Sequence, residues 1–103
     1  MRKLCNLDDI ALNQARGFAA KGGPILVHRD AQGVRAYRDS CPHLGIDMAW
    51  NPDSFMDSDN QHIQCATHGA LFEPKTGECV FGPCVGKFLE PVTIELKDNE
   101  IWG

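Results

Sequence analysis

An all-β, antiparallel domain is the fold class this sequence predicts. Its apolar runs are short, and clusters of Gly, Pro, Asn and Asp punctuate them. One run, Pro91-Val92-Thr93-Ile94-Glu95-Leu96, alternates in the way a half-buried strand does. In chain order, residues 7–16, with Ile10, Leu12 and Ala15 apolar in a poor helical pattern, are read as one or two helical turns. Ile25-Leu26-Val27 follows a Gly22-Gly23-Pro24 break, and Asp30-Ala31-Gln32-Gly33 turns it into Val34-Arg35-Ala36-Tyr37, which together predict a hairpin. Gln61-His62-Ile63-Gln64 and Ala70-Leu71-Phe72 flank a short fragment rich in metal-binding side chains, and Lys75-Thr76-Gly77-Glu78 reads as a turn. Lys97-Asp98-Asn99 turns the alternating segment into the closing Glu100-Ile101-Trp102. No internal repeat, low-complexity tract or linker divides the chain, so residues 1–103 read as one domain.

Composition narrows the function classes. A net charge of −4 and the lack of a basic stripe argue against a nucleic-acid partner. No run approaches the length of a membrane span, and Asp8 and Asp9 interrupt the N-terminal segment where a secretory signal would need an apolar stretch. The expected location is the cytoplasm. Five cysteines in such a chain favour metal ligation over a disulfide framework.

Two fragments carry the chemistry: Cys41-Pro42-His43-Leu44-Gly45 and Cys65-Ala66-Thr67-His68-Gly69. Each offers one thiolate and one imidazole on a short, glycine-ended loop. Thiolate and imidazole both suit iron and zinc. Zinc modules of this size commonly use Cys-x-x-Cys pairs, which are absent here. Two ligand loops separated by residues 44–64 fit a binuclear centre clamped from two sides.

This pair of motifs closely resembles the Rieske [2Fe–2S] proteins, in particular the small bacterial ferredoxins of that type, and the likeness covers about residues 24–96. It implies an antiparallel β sandwich or barrel with a small cluster-binding subdomain over about residues 40–84. It implies also that Cys41 and Cys65 bind one iron while His43 and His68 bind the other. Replacing two thiolates by neutral imidazoles leaves the oxidised cluster less negative, which raises its potential above that of an all-cysteine cluster. The resemblance further implies a one-electron carrier, fed by a flavin-containing, NAD(P)H-dependent reductase and drained by a terminal oxygenase or reductase, or else a small subunit of a nitrite reductase-like assembly. No nucleotide motif or mononuclear iron triad is found, so the chain is not expected to turn over substrate alone; nothing suggests more than a monomer.

Departures from the respiratory members of that family matter too. Their loop-linking cysteines correspond to Ile46 and Thr67 here, and their hydroxyl donors, a serine and a tyrosine, correspond to Ala70 and Phe72. Fewer donors to a more negative reduced cluster imply a potential near the low end of the range, about −150 mV. Gly82-Pro83 resembles the proline-containing third loop that covers the cluster.

Other candidates have plainer readings. Cys79 and Cys84 read as thiols near the site, with a disulfide between them the weaker alternative in a reducing compartment. Cys5 reads as a small buried apolar residue, His62 as a strand histidine, and His28 as structural or exposed. Asp57-Ser58-Asp59-Asn60 lacks the glycine and distal glutamate of a calcium loop and reads as a hairpin turn. Phe72, Phe81, Trp50 and Trp102 read as core or cluster-shielding residues. The acidic stretch from Asp47 to Asp59 is either a solvated insertion or the rim of a docking face that steers a basic partner. Two competing functions stay open: a structural zinc module using the same four ligands, and a redox-sensing regulator using Cys79 and Cys84.

Overall fold

The computed structural model describes residues 2–20, 22–39, 55–57, 59, 61–65, 69–82 and 84–103. Among them the strands are β1 (Lys3–Asn6), β2 (Gln14–Ala20), β3 (Gly23–Asp30), β4 (Gly33–Arg38), β5 (Ile63–Gln64), β6 (Leu71–Phe72), β7 (Cys79–Phe81), β8 (Pro91–Val92), β9 (Glu95–Lys97) and β10 (Glu100–Trp102). They pair antiparallel throughout, in three sheets ordered β1-β10-β9, β2-β3-β4-β8 and β5-β6-β7. The only helical element among the described residues is a 3-10 turn, Leu7–Asp9, and no helix there is long and apolar enough to cross a membrane.

The expected hairpin forms the centre of the fold. β3 and β4 pair from Ile25↔Arg38 to Asp30↔Gly33, leaving Ala31 and Gln32 as the connection. The Asp30 carboxylate accepts the Gln32 N–H at 2.8 Å, which closes the turn locally. Successive strand side chains face opposite sides of a sheet. Ile25, Leu26 and Val27 are nevertheless all buried, so this strand is covered on both faces.

One face of the sheet, through Ile25, Val27 and Ala36, joins a core completed by Cys5, Ile10 and Ile101. The other, through Leu26 and Tyr37, joins a core with Phe55, Ile63, Phe72 and Leu89. The four-stranded sheet is therefore a partition. The sheet of the chain termini packs on one side of it, and the β5-β6-β7 sheet carrying the second ligand fragment packs on the other. Each large apolar side chain sealed this way stabilises the fold by about 1.5–3 kcal/mol.

Three expectations need correction. Residues 7–16 do not form a helix beyond the Leu7–Asp9 turn. Asn13 turns to a φ of +62°, its N–H bonds the Arg29 carbonyl at 2.8 Å, and Gln14 begins β2 along the edge of β3. Leu12 is exposed, so the apolar face that a helix would have buried does not exist. The alternating run 91–96 is not one strand: Pro91–Val92 pairs with β4, whereas Glu95–Lys97 pairs with β10, and Thr93 and Ile94 carry the chain between two sheets. Phe81, read as a core or cluster-shielding residue, is not in the core: it is 63% exposed, because β7 turns only Cys79 inward. The Asp98-Asn99 turn behaves as read, with both residues at positive φ of 53° and 60°.

Candidate metal centre

Cys65 follows directly on β5, and β6 returns beside it with Ile63↔Phe72 and Gln64↔Leu71 in register. The second ligand fragment is thus the connection of a tight hairpin. The Cys65 N–H donates to the Ala70 carbonyl at 2.9 Å, and the Gly69 N–H donates to the Cys65 carbonyl at 2.8 Å. Gly69 adopts a φ of +68°, a left-handed conformation that glycine takes without a Cβ clash. Among the described residues, nothing lies within 4 Å of where its Cβ would stand.

Cys65 itself is fully buried, in one core with Phe55, Ala70 and Phe72. A thiol sealed from water where β5 runs into the hairpin connection, in one core with Phe55 and Phe72, fits a soft metal ligand held away from solvent. Cys41, His43 and His68 lie outside the described residues, as do Trp50, Pro83 and most of the acidic stretch 47–59. Of the four expected ligands, the described structure places Cys65.

Support for this hairpin comes from two sides. On one, the Phe55 carbonyl accepts the Gln64 N–H at 2.7 Å, and Met56 bridges to Ile63. The Asp57 carboxylate there accepts the N–H groups of Gln61 and His62, at 2.9 and 3.2 Å. Burial alone would raise the Asp57 pKa, but those two N–H groups together with His62 hold it below the ordinary carboxylate value. Asp57 is a turn-closing residue, as read, and His62 packs against it with Nδ1 at 3.6 Å from Oδ2 instead of serving in a strand.

On the other side stands the segment after β7. Gly82, at φ +105°, lies so close to the ligand hairpin that a Cβ there would be 2.8 Å from Ala70 Cα. Beneath it the Sγ atoms of Cys79 and Cys84 are 2.9 Å apart, with no disulfide between the described cysteines. The motif reading placed this loop near the site; its direct seat on Ala70 follows from the β6–β7 register and has no local signature in the sequence.

The remaining singled-out residues sit elsewhere. Cys5 is buried in the opposite core, and burial foremost, with Asp9 adding, pushes its thiol pKa up. His28 is 3% exposed on β3, and its Nδ1 meets no hydrogen-bond partner among the described residues. Burial foremost, reinforced by Arg35 against the pull of Asp30 and Glu73, lowers the pKa of His28, so its place is structural.

Comparison with known proteins agrees with this geometry. The Rieske [2Fe-2S] domain model matches residues 1–97. The curated cholesterol 7-desaturase of Caenorhabditis elegans is 33% identical over 81 residues, 78% of this chain but only 18% of that protein. Among solved structures, the ferredoxin of carbazole 1,9a-dioxygenase from Nocardioides aromaticivorans IC177 superposes with a TM-score of 0.77 at 23% identity, covering 97% of this chain and 92% of that one. A complex of reduced oxygenase and oxidised ferredoxin in carbazole 1,9a-dioxygenase contains a chain with TM-score 0.76 and 26% identity, covering 97% and 88%. With β5 and β6 paired antiparallel on either side of its second ligand fragment, the chain belongs to the Rieske [2Fe-2S] domain family, and its cofactor is a Rieske-type [2Fe-2S] cluster.

Proposed function

We propose that this chain is a one-electron carrier in which Cys41 and Cys65 hold one iron and His43 and His68 the other. The observation that carries the proposal is Cys65, fully buried at the start of a hairpin connection whose sequence continues into His68. When bound, the cluster supplies a centre that takes up and releases a single electron. The protein's part is to exclude water around Cys65, to fix its backbone through Ala70 and Gly69, and to keep the loop from relaxing as charge changes.

The donor is a flavin-containing, NAD(P)H-dependent reductase, and the acceptor a terminal oxygenase or reductase. A complex of reduced oxygenase and oxidised ferredoxin in carbazole 1,9a-dioxygenase supports an oxygenase as the acceptor class. Residues 1–103 act as one domain, monomeric and cytoplasmic, with the ligand subdomain over about residues 40–84. Reconstitution tests the proposal. Electrons should pass from reductase to acceptor only when this chain is present, and Cys65→Ser should abolish the flow. Substrate turnover by the chain alone would refute the carrier role, and a colourless protein holding one zinc would replace it with a structural module.

A further inference from the structure

We propose that Cys79 and Cys84 form a reversible dithiol–disulfide site, separate from the four ligand residues, whose oxidant is a hydroperoxide. Val80-Phe81-Gly82-Pro83 separates them in sequence, yet their Sγ atoms stand 2.9 Å apart. A covalent S–S bond measures about 2.05 Å, so joining them asks for an approach of less than about 1 Å. The backbone already holds both ends. The Cys79 N–H donates to the Lys87 carbonyl, and the Lys87 N–H donates to the Cys84 carbonyl, each at 2.9 Å. Cys5 lies in the opposite core, which leaves the pair well isolated from it.

The sulfurs are also arranged in order. Cys84 donates its S–H to Cys79 Sγ, and Cys79 donates to the Phe81 carbonyl at 3.3 Å. With the Cys84 thiol seated directly on Cys79 Sγ, Cys79 is assigned as the attacking group and Cys84 as the one that resolves it. Both thiols are 1% exposed, but the cover is thin. β7 is the outer strand of its sheet, paired with β6 at Leu71↔Phe81 and Phe72↔Cys79 with a register shift between. It is met on its other side by the Cys79–Lys87 bond and the Glu78↔Phe88 bridge, and Val80, Phe81 and Val85 are exposed around it. Fraying of that edge admits a molecule the size of hydrogen peroxide more readily than a bulky disulfide.

The chemistry balances. Cys79 gives up its proton, and its Sγ attacks one peroxide oxygen; the O–O bond breaks, and the departing hydroxide takes the proton as water. Cys79 is now a sulfenic acid. Cys84 Sγ attacks the Cys79 sulfur, the S–O bond breaks, and the released hydroxide leaves with the Cys84 proton as a second water. The two sulfurs together lose two electrons, and the two peroxide oxygens gain them. A dithiol reductant reverses the change by exchange. Because Gly82 lies between the two cysteines and seats on Ala70, closing the bridge pins the segment against the Cys65 hairpin. That consequence rests on the proposed ligand set, whereas the thiol chemistry does not.

The test uses the full chain with its cluster, reduced with dithiothreitol, desalted, and exposed to a few equivalents of hydrogen peroxide. Alkylation and peptide mapping should show the loss of both alkylatable thiols at Cys79 and Cys84, one peptide linking them, and Cys5 still alkylated. Dithiothreitol should restore both thiols. In Cys84→Ser, or Cys84→Ala should the serine variant misfold, Cys79 should be trapped as a sulfenic acid by a 1,3-diketone probe. Recovery of Cys79 and Cys84 as free thiols while Cys5 is oxidised would overturn the proposal, and so would linkage of either one to Cys5 or Cys65. An iron-free preparation would instead count against the electron carrier, and the thiol count can be read with or without iron.

Discussion

Replacing Gly82 by alanine should destabilise this protein through two separable effects, and the structure supplies the control. Gly82 sits at φ +105°, and Gly86 sits at +94° only four residues on. An alanine at either position adopts a conformation that L-residues rarely enter, at a cost of about 1–3 kcal/mol. The neighbourhoods differ. At Gly82 a new Cβ would stand 2.8 Å from Ala70 Cα and 3.0 Å from its Cβ, whereas at Gly86 nothing among the described residues lies within 4 Å. Crowding buried backbone in this way adds about 1–3 kcal/mol. For a domain of this size, 1 kcal/mol moves the melting temperature by about 4–8 °C. Gly82→Ala should therefore melt at least about 4 °C below Gly86→Ala by calorimetry on the cluster-loaded protein. Since Ala70 holds the Cys65 N–H, only Gly82→Ala should also move the cluster midpoint. Equal melting temperatures for the two variants would show that the segment after β7 does not bear on the ligand hairpin.

Three further outcomes follow from the same structure. Ala70→Ser with Phe72→Tyr places hydroxyls at two fully buried positions flanking the Cys65 loop. If they favour the reduced state by about 1.4 kcal/mol, the midpoint rises by about 60 mV in protein-film voltammetry; an unchanged midpoint would discard the donor argument. His28 is buried with a pKa lowered from 6.5, so the unfolded chain takes up its proton first and stability falls as pH drops below that value. His28→Gln should flatten thermal stability between pH 7 and 5 by at most about 1.4 kcal/mol per pH unit, and an unaltered profile would mean His28 carries no such linkage. Tyr37→Phe removes the hydroxyl that donates to the Pro74 carbonyl at 2.8 Å. Chemical denaturation should report a loss of about 0.5–1.5 kcal/mol with the m-value unchanged, and no loss would show that this bond contributes nothing net.

How much of this was legible in the chain depends on how local each signal is. The β3–β4 hairpin could be read because Ile25-Leu26-Val27 and the Asp30–Gly33 turn are both local statements. The ligand fragments could be read because their residue types and spacing are themselves the signal. β2 could not: within Gln14–Ala20 only Ala15 is fully buried, and the strand exists because seven residues find partners on β3. The break at Thr93 and Ile94 escaped because each half alternates plausibly, and only the sheet assignments separate them. The contact of Gly82 with Ala70 depends on tertiary register, which no window of sequence encodes, whereas the pairing of Cys79 with Cys84 was already open in the sequence as the weaker alternative.

The central claim is that two sulfurs and two imidazole nitrogens hold one iron pair. Iron and labile-sulfide analysis combined with pulsed EPR of the reduced protein tests it most directly. The prediction is two irons and two sulfides per chain, with histidine nitrogen couplings that vanish in His68→Ala. One zinc without sulfide, or a reduced spectrum free of nitrogen coupling, would contradict it.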